Sequence, residues 1–174
     1  MIAFVRLPST KRIPDLEFLC SRLRGIQHWE IESQAGVYFA LEPWMSKPRI
    51  AELYQALRRT LGGMIRFGAA EQKTTARAAA LYRSVPHCTI VSREQTENFL
   101  SHLPIRYLPG VGQRASKFLE SRGIDTFVDF RRLPYSTIKN WFGVSGIILQ
   151  QFARGIDPRI VQPRSRFQII YATE

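Results

Sequence analysis

The periodicity of the apolar residues changes once along this chain, near Val91, and that change limits the folds open to it. Before it, runs of period two alternate with runs at helical spacing; after it, every periodic segment is helical. IAFVRL (2 to 7) is a strand pattern ended by Pro8, and the stretch from Pro14 to Leu23 sets Leu16, Leu19, Cys20 and Leu23 on one helix face before Gly25. HWEIES (28 to 33) alternates Trp29 and Ile31 with Glu30 and Glu32, a turn follows at Gln34, Ala35 and Gly36, and VYFALE (37 to 42) is apolar again, which predicts a hairpin. Ile50, Leu53, Leu57 and Leu61 repeat on a helix face that Gly62 and Gly63 end; MIRFGAA (64 to 70) is a further strand, and a helix runs from Gln72 to about Tyr82.

The order βαββαβ, then α, is that of a ferredoxin-like sandwich, with both helices of the repeat on one face of an antiparallel four-stranded sheet. HCTIV (87 to 91) reads as a short apolar segment before the boundary. Beyond it, helices are predicted over 93–101, 112–122, 125–132, 135–142 and 145–154, with Gly123, Gly143 and Gly155 as stops and Asp125, Ser136 and Ser145 as caps. The fold class is therefore α+β, with a sheet domain over 1–91, an all-α domain over 92–160 and an extended Pro- and Arg-rich tail over 161–174.

A formal net charge of +11 is shared between the halves, 13 basic against 7 acidic residues up to Val91 and 12 against 7 after it. Arginine carries most of it, and arginine suits bidentate contact with phosphate, so nucleic acid is the expected partner. No basic amphipathic helix with a strong apolar face points to a membrane surface, and the N-terminal apolar run is too short to span one. Cys20 and Cys88 are the only cysteines and have no histidine at zinc-ligand spacing, so two reduced thiols in a cytoplasmic protein are expected, with no cofactor.

The stretch that carries binding chemistry is LPGVGQRASKFL, 108 to 119. Gly110 and Gly112 bracket Val111 after Pro109 in a tight turn that opens into a helix, where converging backbone N–H groups and the helix N-terminus attract phosphate. Arg114 and Lys117, three residues apart, can flank the same phosphate, while Ala115, Phe118 and Leu119 turn toward the helical core. This is a helix-hairpin-helix pattern, which holds a DNA backbone without reading bases.

From Val91 to Pro163 the chain, with FL-x-x-LPI-x-x-LPGVG and a closing ARGID, closely resembles the thumb of Y-family translesion DNA polymerases. GAAEQKTTARAAA (68 to 80) is similar to that family's palm, with Gly68, Ala70, Lys73, Ala76 and Ala79 in register. The resemblance implies a ferredoxin-like palm followed by a helix-hairpin-helix thumb, and gives Lys73 the place of a lysine that holds the incoming triphosphate. It also exposes departures. Arg6 stands where the family has a metal-binding Asp, and Ala35 and Gly36 stand where it has an Asp-Glu pair. One helix replaces the long segment that contains the fingers, and RFQIIY (166 to 171) corresponds at most to the first strand of a little finger, so neither of those domains is expected.

The likeness is nearest to mutasome-type (ImuB-like) homologues, and these departures imply a noncatalytic DNA-binding protein of damage tolerance, not an enzyme. Its expected partners are DNA and a repair polymerase, recombinase or sliding clamp. Two alternatives stay open: a divergent nucleotidyltransferase with a displaced metal site, and a protein-interaction scaffold.

Overall fold

The structure, a computed structural model, describes residues 1–7, 16–33, 36–83 and 86–163. Five strands, β1 (Ile2–Arg6), β2 (Ile26–Ser33), β3 (Gly36–Leu41), β4 (Arg66–Ala70) and β5 (His87–Ile90), form one sheet in the order β2-β3-β1-β4-β5. The first four pair antiparallel with one another and follow the ferredoxin-like order, as their spacing predicts. The fifth corrects the sequence reading: HCTI is a strand parallel to β4, reached through helix α3 (Lys73–Leu81), so the sheet is wider than four strands. His87–Ile90 is too short to display a period, and only pairing identifies it.

Alternation along each strand divides the side chains between two layers. Ala3, Val5, Val37, Phe39 and Phe67 meet α1 (Leu16–Arg22) and α2 (Lys47–Leu61) through Leu19, Ile50, Leu53 and Leu57. On the opposite face Phe4 and Tyr38 meet Ala76, Ala79 and Ala80 of α3. The alanines let α3 lie close on the sheet. A Cβ on Gly68 of β4 would collide with the Ala76 carbonyl and come within 2.5 Å of the Ala80 nitrogen, so only glycine admits this approach.

The helical region comprises α4 (Thr96–Ser101), a 3-10 turn (Ile105–Tyr107), α5 (Gln113–Glu120), α6 (Phe127–Arg131) and α7 (Tyr135–Ala153). Leu100, Ile105, Leu119, Phe127, Phe130 and Ile138 are buried together, each contributing about 1.5–3 kcal/mol of transfer free energy. The glycine predicted to separate two helices at 143 instead kinks α7, with φ 62° and ψ −150°. Three of the predicted caps differ. Thr126, not Asp125, starts α6 and exchanges hydrogen bonds with Asp129 in a capping box, while Pro134 starts α7 in place of Ser136 and Ser145 lies inside it.

Candidate nucleic-acid interface

The hairpin loop is built by the 3-10 turn and by the turn that follows it. The Val111 N–H donates to the Leu108 carbonyl at 3.0 Å, and Val111 is buried beneath the loop with Leu108. Gly110 sits at φ +91°, where side-chain-bearing residues are strained, and a Cβ there would lie 2.7 Å from Leu149. Gly112 is different. Its φ of −78° suits any residue, and a Cβ on it would meet nothing within 4 Å. It starts α5 without a side-chain cap, so the first N–H groups of the helix have no side-chain acceptor from that residue. Arg114 and Lys117 are exposed, Leu119 is buried, and Ala115 and Phe118 pack partly against the core. Pro109, Gly110, Gly112, Arg114 and Lys117 thus lie together on one loop and helix start, with the two cations exposed and Val111 buried beneath them.

Pro109 and Gly110 also border a cleft of about 300 Å³ shared with Glu30, Ile31, Glu32, Tyr38, Lys73, Arg77 and Arg159. Alternation on β2 sends Glu30 and Glu32 to the α3 side of the sheet. Lys73 is 5% exposed, and its Nζ donates to Glu30 Oε1 at 2.6 Å while lying 4.5 Å from the centre of the Tyr38 ring. Arg77 Nε donates to Glu32 Oε1 at 3.0 Å. Burial pushes the Glu32 carboxyl up, but hydrogen bonds from Ser33 and Arg77 and the charges of Arg77 and Arg6 outweigh it and hold the group below its ordinary range. Burial drives the Tyr38 phenol well above its usual value and keeps it protonated.

A strap from Gly155 to Gln162 fastens the helical region to α3 and β2. Asp157 Oδ2 accepts from the Thr74 N–H at 3.0 Å and the Thr74 hydroxyl at 2.7 Å, capping α3 from a residue distant in sequence. Arg159 closes on both Asp157 oxygens, at 2.8 Å and 2.7 Å. The Ile160 carbonyl accepts from Lys73, Glu30 Oε2 accepts from the Gln162 N–H at 2.7 Å, and the His28 ring meets the Val161 carbonyl at 2.8 Å. Burial raises the Asp157 pKa, yet the hydrogen bonds from Arg159 and Thr74 bring it below the usual carboxylate range. Residues 161–163, assigned to the tail by composition, therefore begin on the sheet: Val161 is buried, and 164–174 lie outside the described residues.

Arg6 ends β1 opposite Gly36, and its Nη1 donates to Ser33 Oγ at 3.1 Å. Ala35 lies outside the described residues. A Cβ on Gly36 would sit 2.6 Å from Glu32 Oε2, so the space beside Gly36 is filled by a carboxylate arriving from β2. With Arg6 and Arg77 around it, that carboxylate does not fit a pair of divalent ions, and among the described residues no group of three or more potential ligands could hold a metal.

Sequence reasoning named Glu30 and Glu32 but not their partners, and it missed Tyr38, Arg77, Asp157 and Arg159. The signal for Asp157 was the closing ARGID, an acid beyond a helix-ending glycine with no local helix to cap. Cys20 and Cys88 are free, with thiols pushed up to about 11 by burial. No helix among the described residues is long and apolar enough to cross a membrane.

Residues 106–157 match the family model described as the thumb domain of DNA polymerase iota. A DNA polymerase IV from Francisella tularensis is 34% identical over 96 residues, covering 55% of this chain and 28% of that protein. One from Pectobacterium atrosepticum is 33% identical over 122 residues, covering 68% and 34%. The chain thus spans about a third of the length of the curated relatives it matches. Among solved structures, DinB from Sulfolobus solfataricus superposes with a TM-score of 0.71 at 18% identity, over 84% of this chain and 44% of that one. A Dbh ternary complex gives 0.70 at 17% identity, over 84% and 45%. The expectation that the chain is not an enzyme is overturned here: the curated relatives that share its sequence are named as DNA polymerase IV.

Proposed function

Starting from a chain that is Y-family DNA polymerase-like, with palm and thumb regions, we propose that it holds DNA by the backbone through the thumb's helix-hairpin-helix loop, independently of sequence, in damage tolerance. Residues 1–91 serve as the palm and 92–160 as the thumb. The observation that carries this is the contrast between the two loop glycines. The fold requires Gly110, whereas Gly112 has open space around its Cα, and a glycine that packing does not require suits close approach of a phosphate.

The test is a salt-dependent titration of duplex DNA of arbitrary sequence. Lys117→Ala should lower the steepness of log K against log salt by about 1, the amount expected for one lost phosphate contact. Gly112→Val should weaken binding with the unfolding midpoint unchanged. Affinity indifferent to both substitutions would remove the hairpin from the interface.

A second reading is nucleotidyl transfer by the protein that contains this chain. The relatives' name, DNA polymerase IV, supports it. Primer extension with Mg²⁺ or Mn²⁺ would support it, and absence of extended product at high protein concentration would reject it. Lys73 is proposed to face the nucleotide phosphates in that case, in exchange for its contact with Glu30.

A further inference from the structure

Four arginines border two adjoining hollows that share Glu97 and Arg154. The first, about 370 Å³, is lined by Glu71, Gln72, Arg93, Thr96, Glu97, Arg154 and Gly155. The second, about 420 Å³, has Glu97, Arg131, Arg132 and Arg154 as its lining. Neither shares a lining residue with the hairpin cleft. Four guanidinium groups therefore meet two carboxylates. Arg131 is held by Glu97 at 3.2 Å and is mostly covered, whereas Arg93, Arg132 and Arg154 are exposed and have no carboxylate within ion-pair distance among the described residues.

Arg154 is anchored at its base, because its N–H closes the end of α7 and Gln150 ties that end to the Arg131 and Leu133 carbonyls at 3.0 Å and 2.9 Å. The backbones that carry Arg131, Arg132 and Arg154 are thereby fixed against each other. Like charges gathered on a rigid frame repel, and a bound polyanion relieves that repulsion. Guanidinium forks spread over two connected hollows match consecutive phosphates better than one small anion.

We propose that these hollows are a second phosphate-binding surface for a nucleic-acid strand, distinct from the hairpin loop. The inference rests on the DNA-holding function proposed above but uses different residues, so the two can fail separately. The experiment is fluorescence anisotropy with a labelled 20-base-pair duplex and a labelled 20-nucleotide single strand across a KCl series. It compares Arg93→Gln/Arg132→Gln/Arg154→Gln with the corresponding triple lysine variant and with Lys117→Ala. The triple glutamine variant should flatten the salt slope by about 3 for one or both probes, and the lysine variant should restore most of it, because counterion release follows charge.

The probe that responds identifies the strand as duplex or single. A slope unchanged for both probes in the triple glutamine variant overturns the proposal. A change in the triple variant with none in Lys117→Ala would retain this surface and discard the hairpin contact.

Discussion

At the scale of single residues, Asp157 is held on both carboxylate oxygens. Its side chain is fully buried, and it accepts from a backbone N–H, a hydroxyl and a guanidinium. Asp157→Asn would set an amide NH₂ against donors, and it should cost about 1–3 kcal/mol, measured by urea unfolding at pH 7. The sign of the pH dependence follows from the lowered pKa. A carboxyl that ionises more readily folded than unfolded stabilises the fold above its unfolded value of about 3.9, and that contribution is lost as pH falls through the lower folded value. Wild-type stability should therefore drop on acidification below pH 4 more steeply than that of the Asn variant. The two loop glycines make the complementary case: Gly110→Ala should cost about 1–3 kcal/mol through its left-handed φ and its contact with Leu149, whereas Gly112→Ala should leave stability nearly unchanged.

At the scale of elements, the close seat of α3 on the sheet governs the cleft. It rests on Ala76, Ala79 and Ala80 and on the missing side chain of Gly68, and it delivers Lys73 and Arg77 to the glutamates of β2. Gly68→Ala should push the helix outward and cost about 1–3 kcal/mol or more, seen as a lower denaturation midpoint. The helical spacing of Gln72 to Tyr82 was legible from sequence, since alanine favours helix and the pattern is continuous. Which face of the sheet it covers was not, because a run of small residues has no strong apolar side. Strand β5 was invisible for a related reason: four residues with a half-buried pattern carry too little period, and the parallel partner β4 lies across a helix.

For the whole molecule, the seam between the palm and thumb regions combines the strap with an edge-to-face pair of Tyr82 and Phe99 at 5.4 Å and with Ala78 buried among thumb residues. Such a seam should make the two regions unfold together. Tryptophan fluorescence can check this, because Trp29 reports β2 and Trp141 reports α7. In single-tryptophan versions the two probes should give one denaturation midpoint, and combining Asp157→Ala with Glu30→Gln should separate them, since both remove strap contacts. Coincident midpoints in that double variant would mean that the apolar seam alone couples the regions.

Local patterns carry β1 to β4 with the helices between them and the LPGVG loop with Arg114 and Lys117, because each depends on neighbours within about a dozen residues. The sequence by itself also identified the positions Arg6, Ala35 and Gly36 as lacking carboxylates, but it implied a protein without enzymatic activity, which the naming of the relatives overturns. Only the tertiary structure brought Glu30 onto Lys73, Asp157 onto the start of α3, and Arg131, Arg132 and Arg154 around Glu97. These pairs lie tens of residues apart, and a buried charge takes whichever partner the packed layers bring within hydrogen-bond distance, which no local pattern records.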